Sequence, residues 1–166
     1  FYAAATLYEN RILHFPEVTP LPEMVFDELV VDRYVPVSAL ASSQAPSKVG
    51  IPPGQTIGLD WALQAMLVYS ANDMAYVLAE GASVTYQLFV REMNAAARKL
   101  GMTGTHFVNP NGLHEPRQIT TARDIGILVS ALLREFPEHA HYFSQPHVAV
   151  GKRKLSNRNS LIRQMK

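Results

Sequence analysis

The chain has 166 residues, 48% of them hydrophobic and 17% charged, so it is long and apolar enough to bury a core and does not read as disordered. Fifteen Lys and Arg against fourteen Asp and Glu give a net charge of +1, which excludes the whole-molecule field that draws nucleic acid or an anionic membrane. The absence of cysteine excludes disulfides, thiolate catalysis and Cys-ligated metals. No stretch reaches the roughly 18 apolar residues of a membrane span, no basic-then-apolar leader is present, and the chain opens on Phe1, so a processed or partial product is expected.

From Phe1 to Val37 an apolar start is followed by Pro16, Pro20 and Pro22, each of which removes an amide donor and fixes its own φ. The expectation is a short helix, a loop, and a strand near Tyr34–Val37. Residues 38–54 are rich in Ser, Pro and Gly and read as a surface loop, with a tight turn at Pro53-Gly54. Asp60 is then placed to cap a helix carrying Leu63, Met66 and Leu67 at helical spacing up to Tyr69. A second apolar helix, with Met74, Val77 and Leu78 on one stripe, follows after Ser70-Ala71-Asn72-Asp73.

The next helix is predicted from Thr85 to Leu100, with Phe89, Met93, Ala96 and Leu100 inward and Gly101 ending it in the left-handed region. Between Met102 and Ile119 the turn formers Asn109, Pro110, Asn111, Gly112 and Pro116 predict an ordered loop. Thr121 and Asp124 have capping-box spacing, ahead of a buried stripe of Ile125, Leu128, Val129 and Leu132 that Pro137 stops. His147–Val150 and Lys152–Leu155, flanking Gly151, read as a hairpin.

The basic tail, from Lys152 and Arg153 through Lys154 and Arg158 to Arg163 and Lys166, reads as a solvated face. His139 and His141, two apart with His147 beyond, lack a carboxylate cluster and read as ordinary surface histidines, so no metal is expected, nor any other cofactor. Trp61 reads as a core or rim anchor.

Ser70-Ala71-Asn72 is the sharpest local feature: a hydroxyl and a carboxamide where two apolar helices meet. Two readings stand. A hydroxyl beside an amide can donate and accept protons in a relay, or Ser70 or Asn72 simply caps the second helix, and the tripeptide alone favours the cap.

The surrounding phrases add to it. Pro46-Ser47-Lys48-Val49-Gly50, Pro53-Gly54-Gln55-Thr56-Ile57, Ser70-Ala71-Asn72-Asp73-Met74-Ala75, Leu100-Gly101-Met102, Thr105-His106-Phe107-Val108-Asn109, Gly112-Leu113 and Thr120-Thr121-Ala122-Arg123-Asp124 stand in one order. Together they resemble the serine D-alanyl-D-alanine carboxypeptidases, the low-molecular-weight penicillin-binding proteins, from Pro36 to Asp124. Asn157-Arg158-Asn159-Ser160-Leu161 resembles the family's Asn-rich step before its last catalytic strand. In that family a Ser-x-x-Lys, a Ser-x-Asn and a Lys-Thr-Gly converge on one site. The resemblance implies that Ser70 passes a proton toward the leaving D-alanine and that Asn72 holds the substrate amide or the catalytic lysine; Asp73 is left to stabilise the positive end of its helix.

No Ser in this chain is followed three positions later by Lys, and there is no Lys-Thr-Gly. Ala3–Tyr8 resembles the helix just after the family's Ser-x-x-Lys, whereas residues 10–29 match poorly. The expected fold is mainly α with a small β component: the helical subdomain of the penicillin-binding and serine β-lactamase-like α+β fold. It is taken as one incomplete domain over 1–166, helical over about 58–136, with a hairpin over about 146–156. The resemblance implies a bacterial envelope location, with peptidoglycan stem peptides ending in D-Ala-D-Ala, and β-lactams, as partners of the intact site. This chain alone is expected to be inactive. Two rival readings are a non-catalytic peptidoglycan- or partner-binding relative, and a module that docks on a missing sheet and self-associates through its exposed apolar face.

Overall fold

A computed structural model describes residues 34–160 and 162. The expectations for Phe1–Tyr8 and for residues 10–29 lie outside these described residues. The expected strand is β1 (Tyr34–Pro36), paired antiparallel with β2 (Thr56–Gly58) so that Val35 lies opposite Ile57. Three residues carry too little alternation for β2 to register in the sequence as a strand. The turn-rich stretch between them is not loop throughout. Ser38 accepts from the Ala41 amide and starts a single helical turn, α1 (Ala39–Ser42).

Helix α2 (Leu59–Tyr69) begins two residues earlier than a cap at Asp60 would place it. Gly58 stands at the N-cap, and Asp60 lies inside the first turn, where it accepts from Gln64 Nε2 at 2.5 Å and from the Tyr142 hydroxyl. Burial, with the Asp60 carboxylate beside it, pushes that hydroxyl far above its ordinary value. Helix α3 (Asn72–Ala82) is the centre of the molecule: every residue from Asn72 to Ala79 is buried. After the polar pair Asn72 and Asp73, the buried run Met74–Ala79 carries only apolar and aromatic side chains, and its Met74, Val77 and Leu78 are each worth about 1.5–3 kcal/mol of burial. Its far end meets β1 closely. A Cβ on Gly81 would lie 2.6 Å from Val35 Cγ1, so only glycine fits there.

Helix α4 (Tyr86–Lys99) is capped by Thr85 and followed by Gly101 at φ 75°, in the left-handed region the sequence predicts. Phe89 and Met93 are buried as expected. The third inward residue is Ala97, with Ala96 and Leu100 only partly covered, because the stripe drifts round the helix at 3.6 residues per turn. The loop after α4 is ordered. His106 and Ile119 exchange backbone bonds, Gln118 Oε1 accepts from the Val108 and Asn109 amides, and Asn111 Nδ2 reaches Gln44 Oε1 at 3.2 Å.

Thr121 caps α5 (Ala122–Glu135), accepting from the Asp124 amide at 3.1 Å. Leu128, Ala131 and Leu132 form its buried stripe, with Ile125 and Val129 half-covered. Pro137 ends it and begins a 3-10 segment, Pro137–Ser144. There His139, partly covered, and His141, exposed as expected, both lie against the Tyr142 ring. The hairpin pairs β3 (His147–Val150) with β4 (Arg153–Ser156), one residue later on its second arm than expected. It lies on α2, where Trp61 Nε1 donates to the Ala149 carbonyl at 2.7 Å, the rim anchor the sequence suggests.

Candidate functional site

Helix α2 stops at Tyr69 because Ser70 adopts φ 61° and ψ 44°. It is the one residue other than glycine with positive φ among the described residues. A side chain costs roughly 1–2 kcal/mol in that conformation, a strain found most often where function requires it. The turn leaves Ser70 exposed, with no hydrogen-bond partner for its hydroxyl among the described residues. Ser70 therefore caps the end of α2, and neither Ser70 nor Asn72 caps the start of α3. That position belongs to Ala71, which offers no side-chain bond.

Asn72 is 7% exposed. Its backbone amide donates to the Ser47 carbonyl at 2.8 Å, and its Nδ2 donates to the Ala45 carbonyl at 3.0 Å. A carbonyl only accepts, so the amide nitrogen must face it and Oδ1 must face the other way. No described residue donates to that oxygen. The corner thus presents a hydroxyl and a carbonyl acceptor, two residues apart, that have no partner among the described residues.

Segment 45–50 forms the wall behind this corner, and three charged side chains bond to it. The Asp73 carboxylate, 1% exposed, accepts from the Val49 amide at 3.1 Å, the Gly50 amide at 2.9 Å and the Met74 amide at 3.0 Å. From the other side, Arg158 donates to Ser47 Oγ at 2.6 Å and to the Tyr69 carbonyl at 3.4 Å, with its guanidinium 4.5 Å from the Tyr69 ring centre. Its own backbone amide donates to the Val68 carbonyl at 3.0 Å. Arg153 also reaches the wall, donating to the Val49 carbonyl at 3.4 Å. Arg153 and Arg158 are exposed like Lys152 and Lys154, as a solvated tail would be, but their guanidinium groups also bond to this wall. The Asn-rich step is held by buried Asn157, whose Nδ2 donates to the Gln145 carbonyl at 2.7 Å and whose Oδ1 accepts from the Asn159 amide at 2.8 Å.

A groove of about 520 Å3 lies elsewhere, lined by Tyr34, Leu40, Glu80, Gly81 and Val84 among others. Glu80 is eight residues from Asn72 along α3, roughly 12 Å at 1.5 Å per residue, so this groove is distinct from the Ser70 corner. Among the described residues no group of three His, Cys, Asp or Glu is placed to hold a metal, and no helix is long and apolar enough to cross a membrane.

The family model for D-alanyl-D-alanine carboxypeptidase matches residues 26–166. The chain belongs to this family. Among D-alanyl-D-alanine carboxypeptidases, DacA of Haemophilus influenzae is 34% identical over 99 residues, covering 60% of this chain and 25% of its own length. DacB2 of Mycobacterium tuberculosis is 31% identical over 167 residues, covering 93% of this chain and 55% of its own length. The chain thus spans from a quarter to just over half of these curated relatives. Penicillin-binding protein D2 from Listeria monocytogenes, solved in a cefotaxime-bound form, superposes with a TM-score of 0.73 at 28% identity, over 99% of this chain and 63% of that one. The mainly helical architecture with small antiparallel sheets is therefore the one seen in penicillin-binding proteins.

Within this D-alanyl-D-alanine carboxypeptidase segment, sequence reasoning singled out Ser70 and Asn72 and did not place Asp73, Arg158 or the Ala45 carbonyl beside them. The bonds of Asp73 to Val49 and Gly50 join residues 24 and 23 positions apart. Both partners are backbone amides, which leave no mark in a sequence. The one available signal was the pairing of two family phrases, at 46–50 and 70–75.

Proposed function

We propose that this chain supplies the Ser-x-Asn corner of a serine D-Ala-D-Ala carboxypeptidase that trims the terminal D-alanine from peptidoglycan stem peptides in the bacterial envelope. The observation that carries the reading is the pairing of an exposed, conformationally strained Ser70 with an Asn72 carboxamide whose oxygen has no donor among the described residues. An oxygen acceptor suits a substrate N–H or a lysine ammonium, and a rotatable hydroxyl can accept a proton on one side while donating on the other. Ser70 accordingly relays the proton to the nitrogen of the departing D-alanine, and Asn72 holds the acyl portion in line for attack.

The attacking serine with its lysine, and the strand that anchors the substrate carboxylate, belong to Ser-x-x-Lys and Lys-Thr-Gly motifs that are not among these 166 residues. Without them the nucleophile and the anchor are both lacking, and this chain alone has little or no turnover. β-Lactams acylate the intact site in the same way as substrate. The cefotaxime-bound relative supports this reading.

The test is covalent labelling of the complete gene product with a fluorescent penicillin, read on a denaturing gel, beside D-alanine release from a stem-peptide substrate. The wild-type protein is expected to label and to turn over, and Ser70→Ala to lose roughly 10²-fold in turnover. A complete protein that neither labels nor releases D-alanine favours the rival reading, a non-catalytic relative that binds peptidoglycan or a protein partner.

A further inference from the structure

Asn72 and Asp73 are consecutive residues in the first turn of α3, and both grip the same short wall. Asn72 holds Ala45 and Ser47 through their carbonyls, and Asp73 holds Val49 and Gly50 through their amides. The orientation of the Asn72 carboxamide follows from the position of the Ala45 carbonyl, and Ala45 lies only four residues before Val49. Among the side chains, the buried acceptor that ties the 49–50 end of the wall to α3 is the Asp73 carboxylate, with one oxygen shared between Val49 and Met74 and the other taken by Gly50. No part of the reaction proposed above uses this carboxylate.

We propose that Asp73 is a positioning residue for the reaction: by pinning Val49 and Gly50 to α3 it fixes the Ala45 carbonyl, which in turn keeps the Asn72 oxygen, and not its NH2, facing the substrate. This inference rests on the carboxypeptidase reading. Asp73 touches no reacting atom; it acts through the wall and through Asn72. Reaction geometry tolerates little error, since a shift of about 1 Å in a catalytic group costs about 10²-fold in rate. An Asn at position 73 has nearly the same volume but turns an NH2 toward the Gly50 amide, donor against donor, so the wall loosens while the core stays filled.

The experiment compares the complete gene product with its Asp73→Asn variant and with Leu128→Ala, a buried position on α5 outside residues 45–50 and 70–74 whose truncation is expected to lower stability. Three quantities are read: the acylation rate constant with a fluorescent penicillin, the affinity of the preceding non-covalent complex, and amide hydrogen exchange at Val49 and Gly50. In D73N, acylation is expected to slow roughly tenfold with little change in affinity, a partial loss relative to a full 1 Å error. Exchange at Val49 and Gly50 should quicken roughly tenfold, a local opening that does not spread to the α3 core. In L128A, acylation per folded molecule and exchange at both amides should stay at wild-type values.

The positioning role is overturned if the wild type labels and D73N labels at the same rate, or if L128A slows acylation as much as D73N does. A wild-type protein that does not label overturns the proposed function itself and takes the positioning role with it, so the two failures are told apart by the first lane of the gel.

Discussion

Helices α3 and α5 both begin beside a buried aspartate that reaches back to grip an earlier loop, yet the labour at the two starts is divided differently. At α5 two residues share it: Thr121 caps the helix through the Asp124 amide, which frees the Asp124 carboxylate to accept from the Gly104 amide at 2.9 Å and the Thr105 hydroxyl at 2.7 Å. At α3 there is no side-chain cap, and Asp73 both satisfies the Met74 amide and holds the loop. The difference bears on function. With Asp73 doing both tasks, Ser70 and Asn72 on either side of Ala71 take no part in capping the start of α3, and their hydroxyl and amide oxygen have no partner among the described residues.

The largest effect expected outside the Ser70 corner is at Asp124. The Thr105 hydroxyl holds its carboxyl below the ordinary value near 3.8; burial opposes this, and the Gly104 amide, Thr121 and Arg123 act in the same direction as Thr105. A carboxyl depressed in the folded state contributes stability that is fully present above the unfolded value and disappears as pH falls through the folded one. Asp124→Asn should therefore melt lower than wild type at neutral pH, with a gap that stays constant down to about pH 4 and closes below it. A gap that stays constant to pH 2.5 in thermal melts would show that the loop is held by something other than charge.

Thr121→Ala comes next. It removes the cap but leaves the loop clamp, and should cost about 1 kcal/mol in denaturant unfolding. A loss as large as that of Asp124→Asn at neutral pH would mean that cap and clamp act as one unit, erasing the contrast drawn here. The smallest effect belongs to Ala71→Ser, which offers α3 a conventional cap. Because Asp73 already takes the Met74 amide, the change should stay within about 0.5 kcal/mol. A clear gain in stability would show that the Asp73 bond leaves the helix start unsatisfied.

What the sequence makes legible follows the range of the interaction. The cap at Thr121, the end of α4 at Gly101, the stop at Pro137 and the hairpin about Gly151 are local in cause, and each stands where the residues place it. Errors arise where a partner outside the local window decides. Asp60 has the chemistry of a cap, but Tyr142, 82 residues away, draws it into a different bond and leaves Gly58 at the N-cap. Arg158 is exposed as a tail residue should be, yet the sequence does not show that its guanidinium bonds to Ser47 and lies over Tyr69. The same holds at the candidate site. Ser70 and Asn72 are visible as a motif, whereas the wall that orients them is built from carbonyls and amides of residues 45–50, for which side-chain identity carries almost no information.

Trp61 is the chain's sole indole, and its N–H is committed to a carbonyl of the hairpin across 88 residues of sequence. The molecule therefore carries an intrinsic fluorophore at the seam between its helical body and its C-terminal β-ribbon. Lifting the ribbon would wet the ring and redden its emission, so separation of the two parts can be followed in the untouched protein without attaching a dye.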